Sequence, residues 1–312
     1  MKSFYVVSIL GVCAAITFLI LNAKKLNNQF ANEQVQYEQP LATNNESKKS
    51  SLLNEDEISS IDSTRQPVSN REQLIIVERP NVKIDEKLSS VIEMLKLSAD
   101  SGNNEAAYIL AINLRTCNAT PSSDIELEER LQQQSEYNDN GVAISRTTER
   151  YEFCAGVDGS QRIQFYNYLE TAAKNGYAPA QEFVAQITPK QYLELNGYSG
   201  LDREAFIAKR DEFIEQKVRF LESASKQGSI RALTRLSRMN YAQDTGANGR
   251  IKAYSNNQIV LELTDSNDLY NKYSRYQQNL ESQLTPEEIE QALIVSNEWL
   301  KTIKENGTLY TE

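Results

Sequence analysis

Ser223 and Lys226 form the pair best suited to chemistry by type and spacing, an S-x-x-K arrangement in which a lysine can activate a serine nucleophile. The S-D-N string that would accompany them in a penicillin-recognising hydrolase is missing. Glu287, Glu288 and Glu290 bring carboxylates together, yet acids in the first turn of a helix are favoured by its dipole alone. The chain has no histidine, which removes the commonest general base near neutral pH and the commonest zinc ligand. No phosphate-cradling G-x-x-x-x-G-K-[ST], no dinucleotide G-x-G-x-x-G after a strand and no metal-ligand spacing occurs. The expectation is a chain with no catalytic, cofactor-binding or metal-binding residue.

The remaining chemistry lies in cysteines and tyrosines. Cys13, Cys117 and Cys154 lack C-x-x-C spacing. Cys117 and Cys154 are expected to pair if the chain is exported, and to stay as two buried thiols if it is cytosolic. Tyr270, Tyr273 and Tyr276 recur every third residue, and Tyr166 and Tyr168 lie one residue apart on another helix. Tyrosine combines apolar area with a polar tip and few rotamers, so these five are candidate partner-binding residues, with packing inside the fold the competing use. A formal net charge of -10 over 312 residues argues against a nucleic-acid partner held by a basic surface.

The elements that must carry these residues begin with an apolar stretch. Ser3 to Ala23 contains no charge, and residues 4–23 can cross a bilayer as one helix. The expectation is a retained single-pass anchor, residues 1–23, with the N-terminus inside and the bulk of the chain outside; a cleaved signal peptide is the alternative. Residues 24–84 are rich in Asn, Gln, Ser, Glu and Lys and poor in aromatics, so they are expected to form a disordered linker. Leu74 to Val77 breaks that composition, either as a short strand docking on the domain or, as favoured here, as an apolar patch within the linker.

Helical periodicity starts near Asp85 and contains a pattern used three times. Ala99, Gly102 and Ala106 are matched by Ala173, Gly176 and Ala180, and again by Ala224, Gly228 and Ala232. Leu95, Leu169 and Leu221 precede the glycines at one fixed offset, and Leu110, Val184 and Leu236 follow at another. Each copy predicts a helix ended by a glycine in the left-handed conformation and a second helix folding back on it. Ser225 falls where Ala173 packs in the middle copy, which gives the S-x-x-K string a structural explanation. Thr188-Pro189 and Thr285 with Glu288 predict helix starts, and Leu201 to Lys226 predicts one long helix.

This register resembles the Sel-one-like repeats, relatives of the tetratricopeptide repeats, whose core reads A-A-x-x-G-x-x-x-A-x-x-x-L. The resemblance implies an all-α, α/α helical-repeat solenoid over residues 85–266, interrupted by an insertion at about 118–157. Residues 284–300, LTPEEIEQALIVSNEWL, resemble the closing segment of such arrays, so 267–312 are expected to be capping helices with Leu293, Trp299 and Leu300 as buried anchors. It also implies a non-catalytic scaffold that binds a protein or peptide. With the anchor, the location expected is the bacterial inner membrane with the repeats in the periplasm. An envelope hydrolase acting on cell-wall material and a self-associating structural protein are the alternatives.

Overall fold

The computed structural model describes residues 74–137, 141–242 and 248–310. The expected anchor, Cys13 and linker residues 24–73 lie outside the described residues. Among the described residues no helix is long and apolar enough to cross a membrane.

The fold is all-helical apart from one pair of two-residue strands. In chain order it comprises β1 (Ile75–Ile76), α1 (Leu88–Asp100), α2 (Asn104–Asn118), α3 (Asp124–Tyr137), α4 (Gly141–Phe153), α5 (Gly159–Arg162), α6 (Phe165–Lys174) and α7 (Ala178–Val184). It continues through α8 (Pro189–Leu195), α9 (Arg203–Lys226), α10 (Ile230–Tyr241), α11 (Gly249–Leu263), α12 (Asn267–Glu281), α13 (Pro286–Asn306) and β2 (Thr308–Leu309). A short 3-10 turn, Tyr198–Gly200, lies between α8 and α9.

Packing passes from one helix to the next: α1 on α2, α2 on α6, α6 on α7, α7 on α9, α9 on α10, and α10 on α11, which α12 and α13 cover. The three glycine junctions have one backbone geometry. Gly102, Gly176 and Gly228 have φ of 95°, 87° and 83°. In each, the glycine N–H donates to the carbonyl three residues back, Ala99, Ala173 or Ser225, and the next N–H to the carbonyl five back, Ser98, Ala172 or Ala224. The last carbonyls of the first helix are satisfied this way, and the chain reverses in two residues. The second helix then starts on a side-chain cap, Asn103 for α2 and Ser229 for α10, or on proline for α7. Ala173, Ala180, Ala224, Ser225 and Ala232 are fully buried at these crossings, where small side chains allow close helix approach.

Cys117 and Cys154 form a disulfide. It ties the end of α2 to the residue after α4, so the stretch expected as an insertion forms a helical hairpin, α3 against α4, held at its base. Buried Arg162 lies beside the bridge. Its guanidinium donates to the carbonyls of Cys117 (3.0 Å), Thr120 (3.1 Å), Val157 (2.9 Å) and Cys154 (3.3 Å). A cation at these helix ends satisfies free carbonyls and opposes the dipoles.

Two expectations need correction. The linker does not reach Ile84, because residues 74–84 lie on the helical body. Ile75 and Ile76 pair in parallel with Thr308 and Leu309, and Leu74 packs against the cluster containing Ile230, Leu233 and Leu300. The apolar side chains of Leu74 to Val77 do not decide this docking alone, since Ile75 and Ile76 are exposed; backbone pairing with β2 contributes. Leu293 is not a buried anchor of α13 and stays 37% exposed. Ala292, Ser296, Leu300 and Ile303 form the inward stripe, and Leu293 sits one residue, about 100°, around the helix. Trp299 is half-buried and packs as expected, and Thr285 with Glu288 forms the expected capping box.

Candidate functional site

Two faces of the helical body gather polar and aromatic side chains suited to recognition. The first is covered by the chain's own segment 74–84. Glu182 of α7 is 7% exposed, and Arg79 reaches it with two bonds, Nη2 to Oε1 at 2.7 Å and Nε to Oε2 at 3.3 Å. Ser229 Oγ donates to the same carboxylate at 2.6 Å while accepting from the Ala232 N–H, so the cap of α10 also orients Glu182. Further along, Asn113 of α2 donates to the Val82 carbonyl at 2.9 Å. Extended backbone is therefore held by one carboxylate and one carboxamide from different helix pairs.

Aromatic rings wall this face. Tyr108 meets Tyr177 and Phe183 edge-on, with centroids 5.7 and 6.2 Å apart, and the Arg115 guanidinium lies 4.7 Å above Phe183. Burial, and then the negative charge of Glu182, push the Tyr108 hydroxyl up to about 12. Tyr310 is raised for the same two reasons.

The second face is open. A cavity of about 220 Å3 lies between α10, α11 and α12. Arg238 and Tyr241 of α10 and Tyr276 of α12 stand at it, Leu280 and Asn279 line one side, and Ser237 with Asn257 lines the other. Ser237 Oγ donates to Asn257 Oδ1, and both residues are buried, which fixes that side. Tyr241 is 48% exposed and Tyr276 43%. Buried Tyr273 positions Tyr276: its hydroxyl donates to the Thr234 carbonyl at 3.1 Å, and its ring meets Tyr276 edge-on at 5.5 Å.

The structure separates the five candidate tyrosines. Tyr276 borders the open cavity and Tyr270 is exposed on the same helix, whereas Tyr168 is half-buried against the first core cluster. Tyr166 and Tyr273 are buried and present no ring to a partner. Tyr166 packs edge-on to Tyr192 at 5.7 Å, and burial followed by Glu170 pushes its hydroxyl strongly up. Residues three apart are neighbours on a helix but are rotated by about 60° from one another, so the spacing alone does not tell which of them points inward.

The residues of the S-x-x-K string have other contacts in the fold. Ser223 Oγ accepts from Gln181 Nε2 at 3.1 Å, Ser225 is fully buried, and the Lys226 ammonium lies 5.4 Å over the Trp299 ring. Glu288 is committed to the Thr285 cap. Among the described residues no group of three or more His, Cys, Asp or Glu could hold a metal ion. Sequence reasoning missed Arg79, Glu182, Arg162 and Arg238. Only the last carried a local signal, as one of three arginines without an acid in α10.

No protein-family model matches the chain, and no curated protein matches it.

Proposed function

We propose that this protein is a non-catalytic scaffold of Sel-one-like helical repeats, held at the bacterial inner membrane by residues 4–23, that binds another protein or peptide in the periplasm. The observation that carries this reading is the threefold recurrence of one helix junction, with the same positive φ and the same two backbone bonds at Gly102, Gly176 and Gly228. Repeated helix pairs that each pack on the next are the building principle of solenoids, whose work is to present extended binding surfaces. Residues 267–306 close the array in this reading, as terminal helices that cover its last apolar face.

The Cys117–Cys154 bridge supports a location outside the reducing cytosol. The way residues 74–84 lie across α2 and α7 supports peptide binding as the mode of recognition, because it displays what this surface grips: extended backbone and an arginine. The α3–α4 hairpin is stapled to the array and lies apart from its repeat register, so it is the element to which partner specificity is assigned.

The test is chemical cross-linking in intact membranes, comparing the full chain with a variant in which residues 119–153 are replaced by a short linker. Capture of one defined protein by the full chain and its loss from the variant are expected. Capture of no protein by either form overturns the scaffold reading and turns attention to cell-wall binding.

A further inference from the structure

The cavity between α10, α11 and α12 has one guanidinium in its lining, Arg238. The helix that carries it, α10, contains no acidic residue, in a protein of net charge -10. Arg235 and Arg238 lie three apart on one helical face, and among the described residues neither forms an ion pair. Arg235 is held below its usual range by burial and by Arg238, with no carboxylate contributing in the other direction. On α12, Glu281 is engaged by the Tyr254 hydroxyl at 3.0 Å.

The size and walls of the cavity narrow the ligand. At about 220 Å3 it is smaller than the roughly 300–1,000 Å3 pockets that enclose whole small molecules, so it takes one side chain of something larger. Leu280 and the rings of Tyr241 and Tyr276 offer that side chain apolar contact, and Arg238 stands beside them, where a neighbouring residue of the same segment would pass. Exposed tyrosines beside arginine are the residues that dominate binding energy at protein interfaces.

We propose that this cavity binds an acidic peptide segment, seating one apolar anchor side chain between Tyr241, Tyr276 and Leu280 while a flanking carboxylate pairs with Arg238. The assignment rests on the scaffold reading and gives it a partner chemistry. Docking here leaves residues 74–84 in place, since those residues contact α2, α7 and β2.

The test uses the full chain in lipid nanodiscs and short fluorescent peptides titrated at low salt. The first peptide carries a phenylalanine between glutamates, the second replaces the phenylalanine with alanine, and the third replaces the glutamates with lysines. The first is expected to bind, and the other two to bind at least about tenfold more weakly. Affinity for the first falls as salt is raised, because part of it is Coulombic. Arg238→Glu is expected to lose the glutamate peptide and to gain the lysine peptide, an exchange that a misfolded variant cannot imitate. Equal binding of the glutamate and lysine peptides, or an Arg238→Glu protein that still prefers glutamate, overturns the proposal. A partner captured in membranes whose binding is indifferent to Arg238→Glu refutes the cavity assignment alone, whereas capture of no partner refutes the scaffold reading itself.

Discussion

Arg79 and Glu182 are 103 residues apart in sequence, and their contact decides where the helical body begins. The pair is nearly enclosed, with side chains 16% and 8% exposed, so removing one partner strands the other's charge. Arg79→Met is expected to destabilise the fold by about 3 kcal/mol, read from denaturant unfolding. Adding Glu182→Leu should recover much of that loss, and strictly additive losses would show that the two charges do not depend on each other. Arg162 follows the same logic at the disulfide, where its guanidinium serves five carbonyls, that of Pro121 among them. Tyrosine burial sets the pH response. Tyr108 titrates near 12 in the folded chain against 10.0 when exposed, and Tyr166 and Tyr177 are shifted the same way. Above pH 10 the unfolded chain gives up protons that the folded chain keeps, so the unfolded state binds fewer protons and stability falls as pH rises. The contribution is complete below about pH 10 and is lost toward about 12. Tyrosinate absorbance should rise together with the loss of helical circular dichroism; a rise of all tyrosines near pH 10 with helicity intact would contradict the burial described.

At the scale of elements, local signals in the sequence were legible and long-range ones were not. Gly102, Gly176 and Gly228 end helices as expected because left-handed φ is a demand on a single residue, and Thr188 and Thr285 cap helices because a capping box needs only four consecutive positions. The docking of residues 74–84 escaped because it depends on β2, more than two hundred residues away, which supplies the backbone partners. The glycines themselves differ in a way that only the fold reveals. A Cβ at Gly102 or Gly176 meets no atom within 4 Å, whereas at Gly228 it comes 2.2 Å from the Thr308 carbonyl oxygen. Gly176→Ala therefore carries the left-handed penalty of about 1–2 kcal/mol. Gly228→Ala carries that and also displaces β2 and Tyr310 just after it, whose N–H bonds to the Gly228 carbonyl at 3.0 Å. Hydrogen exchange should report loss of protection at Ile75, Val77 and Tyr310 in Gly228→Ala and not in Gly176→Ala; equal protection in both would contradict the close approach. The binding cavity was half legible: Tyr276 stood out by spacing, but Tyr241 and Arg238 join it only through packing of α10 against α11 and α12.

Over the whole molecule, the described helices form a succession of pairs stapled in two places, by the Cys117–Cys154 bridge and by residues 74–84. Closing a loop of 37 residues stabilises the fold by about 4 kcal/mol on the chain-entropy model, so reduction should lower the unfolding midpoint while leaving a folded protein. An unchanged midpoint on reduction would mean that Arg162 and the helix contacts hold α2 and α4 together without the bridge. The setting proposed for the domain is the membrane surface, where residues 4–23 would hold it. Binding in that setting is the central claim. Its most direct measurement places a photo-cross-linking amino acid at Tyr276 of the full chain in living cells, with the same group at exposed Lys190 as the comparison. One defined protein captured from Tyr276 and not from Lys190 is the result predicted, and no capture from Tyr276, or the same products from both sites, would contradict it.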